Sequence, residues 1–497
     1  MMTCLGVFLT NIYTIGMNIY RPMGIPPVPV MQNYVKVFGP IRLAVILMMV
    51  TSCSPFKPQA RQSPTGELPR SFSLYTAESP RLSRWWEVFH DPDLNGLISQ
   101  ALTDNLTIKE AWSRLNQARA LAVQAGAALY PDLTGTGQVS FTRERTGNGS
   151  RETLSNQDHS LGLVSSYELD LWGRIRSGRK SALLEASASR EDFNTVAMTL
   201  AAEVASRWVN IISQKMQKRL LERQLQVNLT YLELIELRFR KAMVSALDVY
   251  QQKQIVDDVR AEIPLVEAQE QLLRHELALL LGKPPQTVLS ISRENVPEPM
   301  GIPATGLPSD LLSARPDLRA AGMRLWAADW QVAVARANRL PAISLTGQAR
   351  YGNGDLDVLF DNWLLRLAGN LTAPIFDGRR RAAEVERSLA VVDENLAAYR
   401  RTVLTAIKEV EDALVSEAKQ REHIKGLEKV LDTARKALKQ AGNRYRNGLT
   451  DYLPVLTQLL KVQELERDLI QQQTNLVVAR ISLHRALGGT WMESLSL

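Results

Sequence analysis

The chain has 497 residues, with 45% hydrophobic and 22% charged side chains, which is the composition of a folded protein with a large core. Its net charge of +7 comes from Lys and Arg interleaved with Asp and Glu, with no dense basic tract, so nucleic-acid binding is not expected. Two cysteines, Cys4 and Cys53, and five scattered histidines exclude a disulfide framework and give no metal-ligand spacing.

The first readable element is the apolar run "IRLAVILMMV" at 41–50, preceded by Lys36. It is too short to span a bilayer, which needs about 20 residues. A positive start, a short apolar stretch and then Thr51 and Ser52 form a secretory signal, so 1–52 is read as a leader. Residues 1–30 fit no part of a signal, and Met31 is the more natural start. "VTSC" resembles a bacterial lipobox, which makes Cys53 the expected lipidation site, and Ser54 after it favours sorting to the outer membrane. Two or more acyl chains anchor stably where one does not. Residues 53–84, with Pro55, Pro58, Pro64, Pro69 and Pro80, read as an extended tether.

From 85 onward one unit is written twice. "ALYPDLTGTGQVSF" (128–141) matches "NRLPAISLTGQARY" (338–351), and "DLWGRIRSGR" (170–179) echoes "PIFDGRRRAA" (374–383). The first repeat is 85–283, a proline-rich linker is 284–307, the second repeat is 308–490, and 491–497 is a short tail. Each repeat opens with a helix, 93–129 and 308–339, closed off by Pro131 and Pro341. Two alternating segments follow. Leu133, Val139 and Phe141 share one face, as do Leu161, Leu163, Tyr167, Leu169 and Leu171. The second repeat has Ile343, Leu345, Ala349 and Tyr351, then Trp363, Leu365, Leu367, Leu371 and Ile375. Period two marks strands with one apolar face.

Each repeat ends in its longest feature. No glycine occurs from 180 to 281, and Phe193, Val196, Leu200, Val204, Trp208 and Ile211 recur at helical steps. A helix over about 180–242 would be roughly 90 Å long, three times a membrane's hydrocarbon thickness, so it is no membrane span. It breaks at "RFRKAMVSALDVY" (238–250) and returns over 246–281; the second repeat breaks at "RYRNGLTDYLPVL" (444–456). The fold class expected is mainly α with a small membrane β-sheet contribution. Four strands are too few to close a membrane barrel, and an open edge in lipid leaves backbone groups unpaired. The strands are therefore expected to share a barrel with other copies.

By this point the residues resemble the TolC family of outer membrane efflux proteins, in its lipoprotein branch. The stretch "WWEVFHDPDLNGLISQALTDNLTIKEAWSRLNQARA" (85–120) carries the likeness most strongly. The resemblance implies a homotrimer with a twelve-stranded barrel in the outer membrane of a Gram-negative bacterium and a twelve-helix barrel crossing the periplasm. It implies a passive conduit for small toxic compounds, fed by a periplasmic adaptor and an inner-membrane resistance-nodulation-division pump. Tyr445 and Gly448 fall where the family places its aperture tyrosine and turn glycine. The family's Asp after the turn is replaced by Thr457, with Asp451 as the candidate substitute. Arg238, Arg240, Arg444 and Arg446 are expected to meet Asp248 and Asp451, or carboxylates of a partner. A type I protein-secretion channel is the alternative, and a periplasmic adaptor a weaker one. No catalytic triad, metal cluster or phosphate loop is readable, so neither enzyme activity nor a cofactor beyond the lipid on Cys53 is expected.

Overall fold

The computed structural model describes residues 56–57, 68–74, 84–145, 153–299, 303–489 and 491–495, all within one unit, Phe56–Leu497. The leader, Met31, Cys53 and most of the tether lie outside the described residues.

The first repeat runs α1 (Pro92–Asp104), α2 (Leu106–Ala127), β1 (Asp132–Arg145), β2 (Thr153–Leu169), α3 (Arg174–Arg240) and α4 (Ala246–Leu280). The second runs α5 (Leu311–Ala314), α6 (Pro316–Ala337), β3 (Ala342–Asn353), β4 (Trp363–Thr372), α7 (Arg380–Arg446) and α8 (Leu453–Leu487). Helices α3 and α7 each have 67 residues, and α4 and α8 each have 35, so the duplication holds to the residue where the helices are longest. At 1.5 Å per residue, α3 and α7 are about 100 Å long. Among the described residues no helix is long and apolar enough to cross a membrane.

Two sequence expectations need correction. The opening helix is not continuous over 93–129: Asn105 sits in extended backbone and divides it into α1 and α2. Its carboxamide explains the break, because Oδ1 accepts from the Ile108 N–H at 3.1 Å and Nδ2 donates to the Leu280 carbonyl at 2.8 Å. The second repeat breaks at the equivalent Arg315, whose guanidinium donates to the Ala486 carbonyl at 2.9 Å and pairs with Asp317 and Glu409. Different side chains thus make the same tie to the end of the return helix. Gly282 and Gly488 complete both junctions: each has positive φ, and a Cβ there would lie 2.5 Å from Asp104 O or 2.6 Å from Ala314 O.

The second correction concerns the strands. Leu171 and Ile375 lie beyond β2 and β4. β2 ends because Asp170 turns back to bind the Ile175 and Arg176 N–H groups at 3.0 and 2.9 Å, a carboxylate at the start of α3. β4 ends before Pro374, which has no N–H to offer a ladder.

The sheet is antiparallel in the order β1-β2-β3-β4, leaving β1 and β4 as edges. The helical core gathers Trp85, Trp86, Phe193, Trp208 and Ile211 of the first repeat with Val477 and Ile481 of α8. A second cluster around Leu318, Val403 and Leu483 takes in Phe72 from the N-terminal segment, and the Ser73 N–H donates to Glu411 at 2.8 Å.

Candidate functional site

The register of the sheet assigns every strand side chain to one of two faces. Leu133, Val139 and Phe141 pair across to Ser165, His159 and Gln157; Leu161 and Leu163 pair on to Tyr351 and Ala349; Tyr351 and Ala349 pair on to Trp363 and Leu365. One face is therefore mainly apolar across the four strands, with Ser165, His159 and Gln157 of β2 as polar exceptions, and Leu367 and Trp363 are 82% and 72% exposed on it. The opposite face carries Thr134, Thr136, Gln138, Ser160, Thr346 and Gln348, with Asp158 and Arg350 paired between β2 and β3. The apolar face runs from Leu133 to Phe141, about 26 Å along the strand, close to the height of the apolar band on outer membrane barrels. Phe141, Tyr351 and Trp363 sit at one end of it, where Phe360 meets the Tyr351 ring edge-on at 5.4 Å. Tyr167 sits near the other end, with exposed Tyr130 and Phe376 just outside the strands. Aromatic rows flanking an apolar band, with polar residues behind, suit a sheet with lipid on one side and water on the other.

The other end of the long helices holds the predicted tip residues. Both helix breaks use one backbone device. The Met243 N–H bonds back to Arg238 O and the Leu449 N–H to Arg444 O, each at 2.9 Å, with Ala242 (φ 53°) and Gly448 (φ 71°) in the left-handed region. The side chains then diverge. Tyr445 is buried, with the Arg238 guanidinium 4.2 Å above its ring, and Arg238 Nη1 donates to the Tyr445 carbonyl at 3.4 Å. Asp248 closes a capping box with Ser245 at the start of α4. Arg446 reaches Asn443, and Arg240, Arg444 and Asp451 are exposed. Thr457 donates to the Leu453 carbonyl at 2.9 Å, one turn back in its own helix. Among the described residues no ion pair joins the four arginines to Asp248 or Asp451. The expected in-chain pairing is therefore corrected: capping holds Asp248, and the Tyr445 ring takes Arg238.

Several residues beyond the predicted ones complete the tip. Tyr452 is fully buried, 5.5 Å from the Tyr445 ring, and its hydroxyl donates to Gln252 Oε1 at 2.6 Å. Burial pushes this phenol above its usual range, so it stays a neutral donor. Gln252 donates to Asn228 O at 2.8 Å, and Asn228 and Gln463 exchange carboxamide bonds at 3.2 Å. Gln224 continues the row to Gln463 O at 3.1 Å. This buried polar seam joins α3 and α4 of the first repeat to α8 of the second. Its signal was present in the sequence: Leu221, Gln224, Asn228, Tyr231 and Ile235 recur at helical steps, so polar side chains interrupt an apolar stripe. Such residues fix register at some loss of stability.

Comparison with known proteins fits this geometry. A family model described as "Outer membrane efflux protein" matches residues 97–283 and 307–489, the two repeats without their linker. The pyoverdine export outer membrane protein OpmQ of Pseudomonas aeruginosa is 33% identical over 425 residues, covering 84% of this chain and 89% of that protein. The toluene efflux pump outer membrane protein TtgI of Pseudomonas putida is 30% identical, covering 90% of this chain and 97% of its own length. Among solved structures, the outer-membrane channel OprN superposes with a TM-score of 0.80 at 27% identity, over 88% of this chain and 98% of that one. VceC of Vibrio cholerae superposes with a TM-score of 0.77 at 28% identity, over 83% of this chain and all of the other.

Proposed function

The chain belongs to the outer membrane efflux protein family, and on that premise we propose that it is the outer membrane exit duct of a tripartite export system for small organic toxicants. The observation that carries this reading is the four-stranded sheet with one lipid-suited face and two open edges, set at the end of two helices about 100 Å long. Unpaired strand edges in hydrocarbon cost several kcal/mol per group, so β1 and β4 must pair with other copies. Two copies would give eight strands, whose interior side chains fill. Three give twelve, and a polar inner face then lines water. A homotrimer is the smallest closed assembly that conducts.

The work of export lies elsewhere. In this reading an inner-membrane pump supplies energy, a periplasmic adaptor seats on the helix tips, and this chain supplies a passive path. The tip residues Tyr445, Arg238 and Asp451 keep that path narrow until the adaptor binds. A lipid on Cys53 adds an anchor beside the barrel, and Cys53→Ser is expected to abolish acyl labelling. The relatives named for pyoverdine, toluene and solvents support small organic molecules as cargo. Deleting the chain from its host is expected to lower tolerance of aromatic solvents or to trap a secreted small molecule inside. Restored wild type should reverse this. Unchanged tolerance and secretion across both classes would contradict the reading.

A further inference from the structure

We propose that the sheet closes onto a second copy of this chain in one specific register: Leu371 of β4 opposite Gly137 of the neighbouring β1, Gly369 opposite Val139, and Leu367 opposite Phe141. This rests on the trimeric reading above and adds the pairing that it leaves open.

The duplication supplies a template. The junction between repeats inside one chain is the β2–β3 ladder, where Leu161 faces Tyr351, Leu163 faces Ala349 and Ser165 faces Gly347. The repeat alignment sets Tyr351 over Phe141, Ala349 over Val139 and Gly347 over Gly137. The matched β1–β2 and β3–β4 ladders then set Leu161 over Leu367, Leu163 over Gly369 and Ser165 over Leu371. In the assembled ring, β4 meets the next β1 where the chain's own β2 meets β3. Carrying the internal pairs across gives the three pairs named.

A second observation supports the same register. On the apolar face leucines lie over glycines: a Cβ at Gly347 would meet Leu367 Cδ2 at 3.4 Å, and one at Gly369 would meet Leu345 Cδ2 at 3.8 Å. Gly135 and Gly137, on the edge strand, have nothing within 4 Å of that position. The register places Leu371 over the gap at Gly137 and Val139 beside Gly369. A slip of one residue would turn the polar face to lipid. A slip of two residues gives less stagger, nearer the usual barrel tilt of about 35–45°. It sets Gly369 against Gly137, however, leaving two adjoining gaps that forfeit dispersion contacts. The filled register wins on packing.

Cysteine pairs test this in the full-length protein in outer membranes. β1 and β4 are opposite edges of one sheet, about 14 Å apart at three strand spacings, so a disulfide between them can form only between subunits. Leu367→Cys with Phe141→Cys is expected to give a covalent trimer on a non-reducing denaturing gel, and reductant should remove it. Gly369→Cys with Val139→Cys should do the same. The two pairs lie two residues apart on one face and so belong to the same class of the ladder, with Cα separations of about 4.5–5.5 Å that a disulfide spans. Each single variant should stay monomeric on the gel. Preferential cross-linking of Leu367→Cys with Val139→Cys would overturn the register while leaving the trimer standing. So would a native mass of three chains with no cross-link from any pair. A native mass of one chain would overturn the trimer as well.

Discussion

The two helix tips are a controlled comparison within one molecule. At 238–250 and 444–456 the backbone makes the same turn, with the same hydrogen bond and a left-handed residue at the same place. The side chains have opposite fates. Phe239 is 47% exposed, whereas its counterpart Tyr445 is 4% exposed; Ala246 is exposed, whereas its counterpart Tyr452 is sealed against Gln252. Helix ends must satisfy their last carbonyls in any setting, so duplication preserves the turn. What the turn carries is free to change. The first tip is built to face outward, and the second to be held against its neighbour.

The largest break in this comparison is expected from Tyr452→Ala. It removes a buried ring and leaves Gln252 without its donor, a loss of about 3–5 kcal/mol at the second tip. Hydrogen exchange of α8 near residues 453–463 should accelerate accordingly. Phe239→Ala in the first tip should stay within about 0.5 kcal/mol, as surface changes usually do. Equal losses at both tips would erase the asymmetry.

A similar divergence lies at the other end of the return helices, where buried Ala278 of α4 corresponds to His484 of α8. His484 stacks on Trp85 at 5.3 Å, and burial, helped by Arg480, pushes its imidazole down to about 4. The unfolded imidazole binds a proton near pH 6.5, so this contribution is intact above that pH and is lost as pH falls toward 4, by about 3 kcal/mol in all. His484→Phe keeps the stack and should flatten the dependence of unfolding on pH over that window. An unchanged pH profile would show that the proton is taken elsewhere.

The turn residues give a smaller effect of opposite sign at the two tips. Ala242 holds a left-handed φ that glycine adopts freely, so Ala242→Gly should slow local exchange at the first tip by about 1 kcal/mol, and Gly448→Ala should speed it at the second by as much. The smallest contrast is in the caps. Asp248→Ala should lose a capping box of about 0.5–1 kcal/mol, while Asp451→Ala, whose side chain has no partner among the described residues, should change helix stability hardly at all.

Much of this was legible in the sequence. Period-two alternation identified all four strands and their apolar faces, and the repeat located both helix breaks. The breaks at Asn105 and Arg315 had local signals, an N-capping Asn and Pro316 directly after Arg315, but helical spacing of apolar residues runs on through both; their bonds to Leu280 and Ala486 exist only once the return helix packs alongside. The tip chemistry was half legible. Tyr445 and Gly448 stood out from the motif. The partner of Arg238 did not, because charge alone suggested a carboxylate while packing supplied an aromatic ring. The seam of Gln224, Asn228 and Gln463 was visible only as polar residues in an apolar stripe, and its pairing across 235 residues is a tertiary fact.

We propose that the second tip, held against the first repeat, keeps the duct closed. Single-channel conductance of the purified protein in planar bilayers tests it most directly. Wild type should show a low conductance, with a clear rise on replacing Tyr445 and Asp451 by alanine. Unchanged conductance in that double variant, inserted with the same orientation and trimeric mass, would contradict it.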